Sequence, residues 1–598
     1  MKEKLFLKCY QALVLLLVSF FITACGGDNV TPVASVHESN VSEEVSSETS
    51  NKTPVATAQS VTVDEDTTDN AITLAGTDAD GDPLTYAIAT QPTHGSVTIA
   101  GAVATYIPTA NYAGADAFTF RVNDGTVDSA EASVTITVTD VAEPIVKDTK
   151  PWEHGKLEVS ADGHMLQHED GTGFFWMADT AWFMVADMTR EEVDKYLTDR
   201  ANRGFTVILT NIMSRIWRDN RYGDRPYKVD WMGYDSGAYK PYFINEFITT
   251  PGKSINSEEE YDYWDHVDYV IDKAAEKGIY IAMTLTWLDA VQSYIEKDET
   301  IYTKHTTWLG ERYKNKPNIV WLNGGDVYPP EEGDNEVWDW IGNGIKSVDK
   351  NHLMSWHGMS SSRYHHHKDW LDFNMVEGGH NRNLVSQNSK IKDDYDSKTP
   401  TKPIVDGETR YEGIKDDGGG ENMQPFDVRE IAYYQLFSGA FGHTYGHNSI
   451  WQVATQADVD REEEYTYKPN MTWEEALSSP GAQQMNYLSN LMQSRPILGR
   501  LPDQSIISNG EAVATRGEGY AFIYLTSGES IDIQLGKISG TNVKIWSYNP
   551  RTGASKVLEA SKPNSGIYTF NPEGGNEFEN DWVVVIDDAS KGFPEPGK

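Results

Sequence analysis

Asn318-Ile-Val-Trp-Leu-Asn-Gly-Gly-Asp326 and Pro403-Ile-Val-Asp-Gly-Glu408 are two short apolar runs, each the length of a buried strand, and each ends on a carboxylate. Six further runs have the same character: Phe174–Met177, Phe205–Leu209, Tyr280–Leu285, His352–Trp356, Phe373–Val376 and Ala440–Tyr445. Helical patterns separate them. Thr189-Arg-Glu-Glu192 opens one with a capping box that closes at Arg203-Gly204, and Tyr261–Lys277, Thr307–Lys316 and Val337–Lys350 supply others. Eight strands alternating with helices predict a (β/α)8 TIM barrel over residues 150–495. No glycine-rich phosphate fingerprint follows any strand, which argues against an open cofactor-binding sheet.

A barrel of this kind builds its site at the carboxyl ends of its strands. Strand one is followed by Asp179 and Trp182, strand two by Asn211, strand three by Trp287, and strand four by Asp326. Strand five leads to His357 and strand six to Glu377-Gly-Gly-His380. Strand seven leads to Glu408, Arg410, Tyr411 and Glu412, and strand eight to Tyr445, His447 and Trp451. Strands four and seven face each other across an eight-stranded ring. Asp326 and Glu408 can therefore straddle a glycosidic bond, one protonating the leaving oxygen while the other attacks the anomeric carbon or activates water. The flat rings of Trp182, Trp287, Tyr411, Tyr445 and Trp451 suit the apolar faces of sugars. The histidines lack a tight ligand spacing such as His-Glu-x-x-His, so no catalytic metal or other catalytic cofactor is expected. No Gly-x-Ser-x-Gly elbow offers a serine nucleophile. Arg215, Arg218, Arg221, Arg225 and Lys228 crowd the loop after strand two, either to compensate nearby acids or to clamp a uronate or sulfate.

Outside the barrel the pattern changes. Residues 55–142 alternate in the strand period between Gly-, Asn- and Asp-rich turns, predicting a small β-sandwich. Its acids bunch in turns that include Glu65, Asp78, Asp80, Asp82 and Asp124, and such carboxylates repel unless they are solvated or neutralised, for example by a structural Ca2+. Residues 496–590 lose the helical period and read as a C-terminal β-sandwich. At the other end, Lys2, Lys4 and Lys8 precede an apolar run from Ala12 to Ile22 and then Thr23-Ala24-Cys25. Residues 1–24 read as a lipoprotein signal peptide, Cys25 as the lipidated anchor to the outer membrane, and 25–54 as a flexible tether. The chain of 598 residues has a net charge of −40, the wrong sign for holding nucleic acid, and its two cysteines, Cys9 and Cys25, exclude an internal disulfide framework in the mature chain.

Several stretches resemble known families. Asp64-Glu-Asp, Thr77-Asp-Ala-Asp-Gly-Asp-Pro-Leu-Thr-Tyr and Phe118-Thr-Phe-Arg-Val-Asn-Asp-Gly are similar to cadherin-like tandem repeats. Phe174-Phe-Trp-Met-Ala-Asp-Thr-Ala-Trp182, Trp321-Leu-Asn-Gly-Gly-Asp326, Lys402-Pro-Ile-Val-Asp-Gly-Glu-Thr-Arg-Tyr-Glu-Gly413 and Gly442-His-Thr-Tyr-Gly-His-Asn-Ser-Ile-Trp451 resemble the apiosidase-like proteins of glycoside hydrolase family 140. In that family a β-sandwich labelled collagen-binding follows the barrel. The resemblance implies that Asp326 is the acid/base, that Glu408 is the nucleophile, and that the linkage is cleaved with retention. Glu377-Gly-Gly-His380 departs from the Gln-Ser-Gly-His of the family pattern, at a position that concerns the substrate subsite. The expected substrate is a plant or algal polysaccharide. The competing readings are a non-catalytic glycan- or matrix-binding lipoprotein and a polysaccharide lyase.

Overall fold

The computed structural model describes residues 50–64, 67, 70–109, 112, 114–139, 150–213, 219–230, 243–257, 259–285, 298–325, 335–359, 361–397, 399–462, 467–576 and 579–598. Cys25 and the segments read as signal peptide and tether up to residue 49 lie outside these residues. The chain divides into two compact units, Met1–Ala142 and Glu143–Lys598. No helix among the described residues is long and apolar enough to cross a membrane.

The first unit is a sandwich of a four-stranded sheet (Gln59–Asp64, Ala132–Thr139, Gly114–Asn123, Thr85–Thr90 in spatial order) and a three-stranded sheet (Asn70–Thr73, Val103–Pro108, Gly95–Ala100). Strict alternation sends Phe118, Phe120, Val122, Val134, Ile136 and Val138 into one core. Asp116 is buried there, and its carboxylate accepts from the Tyr106 hydroxyl at 2.9 Å and the His94 amide at 3.0 Å.

The second unit contains eight strands in parallel pairings: β1 (Trp176–Thr180), β2 (Val207–Asn211), β3 (Tyr280–Thr284), β4 (Ile319–Gly324), β5 (Met354–His357), β6 (Asn374–Glu377), β7 (Ile404–Glu408) and β8 (Gly442–Tyr445). Six of them form one sheet in the order β5-β4-β3-β2-β1-β8, and β6 pairs with β7. The amide of Phe441, just before β8, donates to the Ile404 carbonyl of β7 at 3.0 Å. Helices α1 (Arg190–Asn202), α2 (Tyr263–Lys277), α3 (Glu299–Tyr313), α4 (Asn335–Val348), α5 (Leu384–Ser397), α6 (Pro425–Phe437) and α7 (Pro480–Gln493) lie between or after them.

Local chemistry sets these helices. Thr189 and Glu192 form the reciprocal capping box of α1, and Asp262 caps α2, which ends on Gly278 with a left-handed φ of 79°. Helix α3 begins at Glu299, eight residues before the position expected from its apolar spacing, because Asp298 caps the amides of Thr300 and Ile301. Strand β1 also differs from expectation. Gly173–Phe174 joins a separate three-stranded sheet with Leu157–Val159 and Leu166–His168, and β1 proper starts at Trp176. Asp179 therefore lies within the strand, not after it. In the loop region after β2, Tyr227–Asp230 and Phe243–Phe247 form an antiparallel hairpin that the sequence reading did not anticipate.

Residues on the two faces of the parallel strands separate cleanly. Trp176, Ala178, Val207, Leu209, Ala282, Val320, Leu322, Phe373, Met375 and Val405 pack into one core. Their alternates Ile208, Ile281, Met283, Ile319, Trp321, Met354 and Trp356 pack against the helices in another. The chain ends in a six-stranded sheet (Leu501–Pro502, Val513–Gly517, Tyr520–Leu525, Trp582–Asp588, Asn542–Tyr548, Ser555–Pro563) facing a three-stranded one (Ile507–Asn509, Ile531–Gln534, Ile567–Phe570).

Candidate active site

Thr180, Asn211, Thr284 and His357 end β1, β2, β3 and β5 on the face of the first of these two cores, and all four are buried. Glu408 joins this group from β7. The register of β6 and β7 shifts between Val376 and Glu377, so Asp406 and Glu408 do not share surroundings as a regular two-residue period would dictate. The Asp406 carboxylate accepts from Gln435 Nε2 of α6 at 2.5 Å, from the Gly378 amide at 3.0 Å and from the Glu408 amide at 3.1 Å. Burial outweighs these three donors and the charge of Lys390 and pushes the Asp406 carboxyl up to about 6.

The Glu408 carboxylate lies 3.4 Å from His357 Nε2 through one oxygen and 3.4 Å from His380 Nε2 through the other. Burial alone would raise its pKa, yet the two imidazoles outweigh burial and hold the carboxyl below the ordinary carboxylate range. His380 Nδ1 donates to the Thr409 carbonyl at 2.8 Å, which fixes the ring with Nε2 toward Glu408. Burial lowers the His380 pKa and the Glu408 carboxylate raises it, and the net shift is upward. Around this group, Trp182 Nε1 donates to the Tyr411 hydroxyl at 3.1 Å, the Trp182 ring meets His357 edge-on at 5.1 Å, and the Tyr411 ring lies 4.5 Å from that of His380. Burial and then the nearby Glu408 carboxylate raise the Tyr411 phenol far above its usual value, so it stays protonated. The result is an ionised, nearly buried carboxylate walled by imidazoles and aromatic rings, an arrangement suited to attack on, or electrostatic stabilisation of, an electron-poor carbon.

Not every residue singled out from the sequence joins this wall. Asp179 points to the other face, where its carboxylate accepts from Arg200 Nε at 2.5 Å and the Tyr196 hydroxyl at 2.8 Å. Glu412 is buried beside it, accepting from the Tyr445 hydroxyl at 2.7 Å and the Gly481 amide at 3.0 Å. Arg410 is fully buried and bonds to Glu430 at 2.7 Å, Gln387 at 3.1 Å and two backbone carbonyls. His447 caps a short helix by accepting from the Ser449 amide through Nδ1 at 3.0 Å. Asp179, Arg410, Glu412, Tyr445 and His447 thus have polar partners other than Glu408. Trp451 remains partly exposed beside Tyr467, whose ring also lies 6.4 Å from His380. Tyr467 and Gln435 carried no signal in the sequence, since neither follows a strand in its first few positions, whereas Asp406 stands directly after the apolar run Pro403–Val405.

Asp326, Trp287, Arg215 and Arg218 lie outside the described residues. The amide of Gly325, the residue before Asp326 in sequence, donates to the carbonyl of His357 at 2.9 Å. Gly324 has φ 86°, and a Cβ there would come within 2.2 Å of that same carbonyl, so the turn leading to Asp326 requires glycine.

In the first unit, Glu65 lies outside the described residues, and Asp78, Asp80 and Asp124 have polar partners within the unit. Asp78 accepts from the amides of Asp80 and Asp82, Asp80 pairs with Lys52 at 2.8 Å, and Asp124 accepts from Thr126, Val127 and Asn51. Among the described residues of the whole chain, no group of three or more His, Cys, Asp or Glu side chains gathers as metal ligands.

Comparison with known proteins accords with this geometry. Residues 160–499 match the model "Apiosidase-like, catalytic domain", residues 501–587 match "Putative collagen-binding domain of a collagenase", and residues 51–137 match "Bacterial Ig domain". No curated protein matches the chain. A solved structure described as a glycoside hydrolase is 33% identical, covering 75% of this chain and all of its own, with a TM-score of 0.64. A family 5 glycoside hydrolase from Bacteroides vulgatus ATCC 8482 is likewise 33% identical with a TM-score of 0.64, over 75% of this chain and 96% of its own. The chain belongs to the apiosidase-like family and is a glycoside hydrolase.

Proposed function

We propose that this hydrolase cleaves a plant or algal polysaccharide by a two-carboxylate, retaining mechanism, with Glu408 as nucleophile and Asp326 as acid/base. The observation that carries the proposal is Glu408 itself: a buried carboxylate held ionised between His357 and His380. In this reading the eight parallel strands close into a barrel, β5 beside β6 and β7 beside β8, with the inner-face strand ends forming the floor of the substrate cleft. Glu408 attacks the anomeric carbon while Asp326 protonates the departing oxygen. Water, deprotonated by Asp326, then releases the sugar from the ester.

The hydrogen bond from the Gly325 amide to the His357 carbonyl holds the carboxyl end of β4 beside a residue that touches Glu408. Lipidation at Cys25 would tether the enzyme to the outer membrane, and the first unit would act as a spacer between anchor and enzyme.

Digestion of a panel of plant and marine polysaccharides, with chromatography of the products, tests the reading. New reducing ends support hydrolysis. An unsaturated uronate absorbing in the ultraviolet would replace hydrolysis with a lyase reaction, and binding without products would leave only a carbohydrate-binding role.

A further inference from the structure

We propose that the second unit carries another glycan-binding site, at the amino-terminal ends of the parallel strands, and that it takes an acidic sugar residue. The proposal rests on the polysaccharide reading above. A cavity of about 290 Å3 opens between the turn Pro151–His154 and the loops that lead into β4 and β5. This is near the lower size of small-molecule sites, enough for one or two sugar units. The cavity is remote from Glu408: Tyr280, in its lining, begins β3, and the four residue steps to Thr284 span about 13 Å along the strand to the opposite end.

Its chemistry is that of a sugar subsite. The half-buried Trp152 indole stands edge-on to Tyr280 at 5.7 Å, while the adjoining Lys150 ammonium donates to the Glu276 carbonyl and fixes the segment that carries the ring. Lys156, Lys314 and Lys316 line the walls with the Asn315 amide, and no carboxylate lies among the lining residues. In a chain of net charge −40 these three ammonium groups are the cavity's means of meeting an anionic ligand once they turn from their own acidic partners.

Each lysine has an acidic partner outside the cavity. Lys156 lies 3.2 Å from Glu158, Lys314 lies 2.6 Å from Glu311, and Lys316 pairs with Asp272. All of these side chains are at least a quarter exposed, and exposed pairs contribute only about 0–1 kcal/mol, so each ammonium can turn to a ligand carboxylate at little cost. The occupant is therefore a uronate-bearing stretch of the polysaccharide, its ring against Trp152 and its carboxylate among the lysines.

Calorimetric titration of the full-length protein with a galacturonate trisaccharide, and with the corresponding galactose trisaccharide, tests the site. The acidic ligand should bind at least tenfold more tightly, and its affinity should fall as salt rises. Trp152→Ala and the Lys156→Gln/Lys316→Gln double variant should each lose at least tenfold of that affinity while turning over a small aryl glycoside at the wild-type rate with an unchanged melting temperature. Equal affinity for the neutral ligand, or unchanged affinity in both variants, would overturn the proposal. Glu408→Gln reads the hydrolytic assignment separately: if it loses turnover while Trp152→Ala binds the acidic ligand normally, the second site falls and the catalytic reading stands.

Discussion

The contacts around Glu408 make testable demands. A carboxyl whose folded pKa lies below its ordinary value keeps its charge, and the stabilisation that goes with it, above the ordinary value and loses both as pH falls through the depressed one. The acid limb of kcat/KM set by Glu408 should therefore lie below the ordinary glutamate range. His380→Gln removes a ring that helps to hold the Glu408 carboxyl down, so that limb should move upward, while the alkaline limb, set by the acid/base, stays in place. An unmoved acid limb would show that His380 does not tune Glu408. Glu408→Gln should lower kcat by more than about a thousandfold, measured on any cleavable substrate, because no glycosyl ester can form.

That Glu408 stands with His357, His380 and Tyr411 was legible from their positions after apolar runs. What strand-end position does not convey is the face. Asp179 and Glu412 follow the same rule in sequence, yet alternation delivers Asp179 to Arg200, and the loop after β7 delivers Glu412 to Tyr445. The register shift opposite Glu408 likewise arises from pairing with β6, which local sequence does not contain.

At the level of elements, α6 links two distant parts of the second unit. Gln435 near its end holds Asp406, which in turn accepts the Glu408 amide, while Arg429 near its start makes a bidentate, buried pair with Asp581 of the C-terminal sandwich at 2.7 and 2.8 Å. A second such pair joins Arg495 to Asp587, with Trp546 Nε1 donating to the same carboxylate. Breaking one side of a buried pair leaves an uncompensated charge, so Asp581→Ala should cost about 3–5 kcal/mol in chemical denaturation. A loss below about 1 kcal/mol would show that the pair is not tightly coupled to folding. Capping boxes and terminal glycines made α1 and α2 readable from sequence. The early start of α3 was not, since Thr300, Thr303, Thr306 and Thr307 carry weak helix propensity that the Asp298 cap and packing against α4 override.

On the scale of the whole molecule, the two compact units have different dependencies. The first holds its own core, so removal of residues 1–142 should leave kcat/KM on soluble substrate within about twofold of the full-length value, as checked by steady-state kinetics. The C-terminal sandwich shares a core with the catalytic region: Tyr433 stacks on Tyr524 at 4.5 Å and Phe437 lies 6.0 Å from Phe522. Ending the chain at residue 495 should abolish soluble expression or activity. The general architecture was legible because strand and helix periods differ so plainly, and the acidic turns of the first unit were visible too. Their particular partners were not, because bunched carboxylates look alike in sequence whatever they face.

The joining of Arg429 and Arg495 to Asp581 and Asp587 also bears on biosynthesis. A ribosome delivers the two guanidiniums well before the two carboxylates that neutralise them, so a nascent chain that has exposed every strand from β1 to β8 still lacks the counterions for two buried cations. The catalytic region should therefore wait, unfinished, until Asp581 and Asp587 have emerged. Chains stalled so that residue 560 has just cleared the exit tunnel should remain sensitive to protease through α6 and α7, and chains released through residue 598 should become resistant in a single late step.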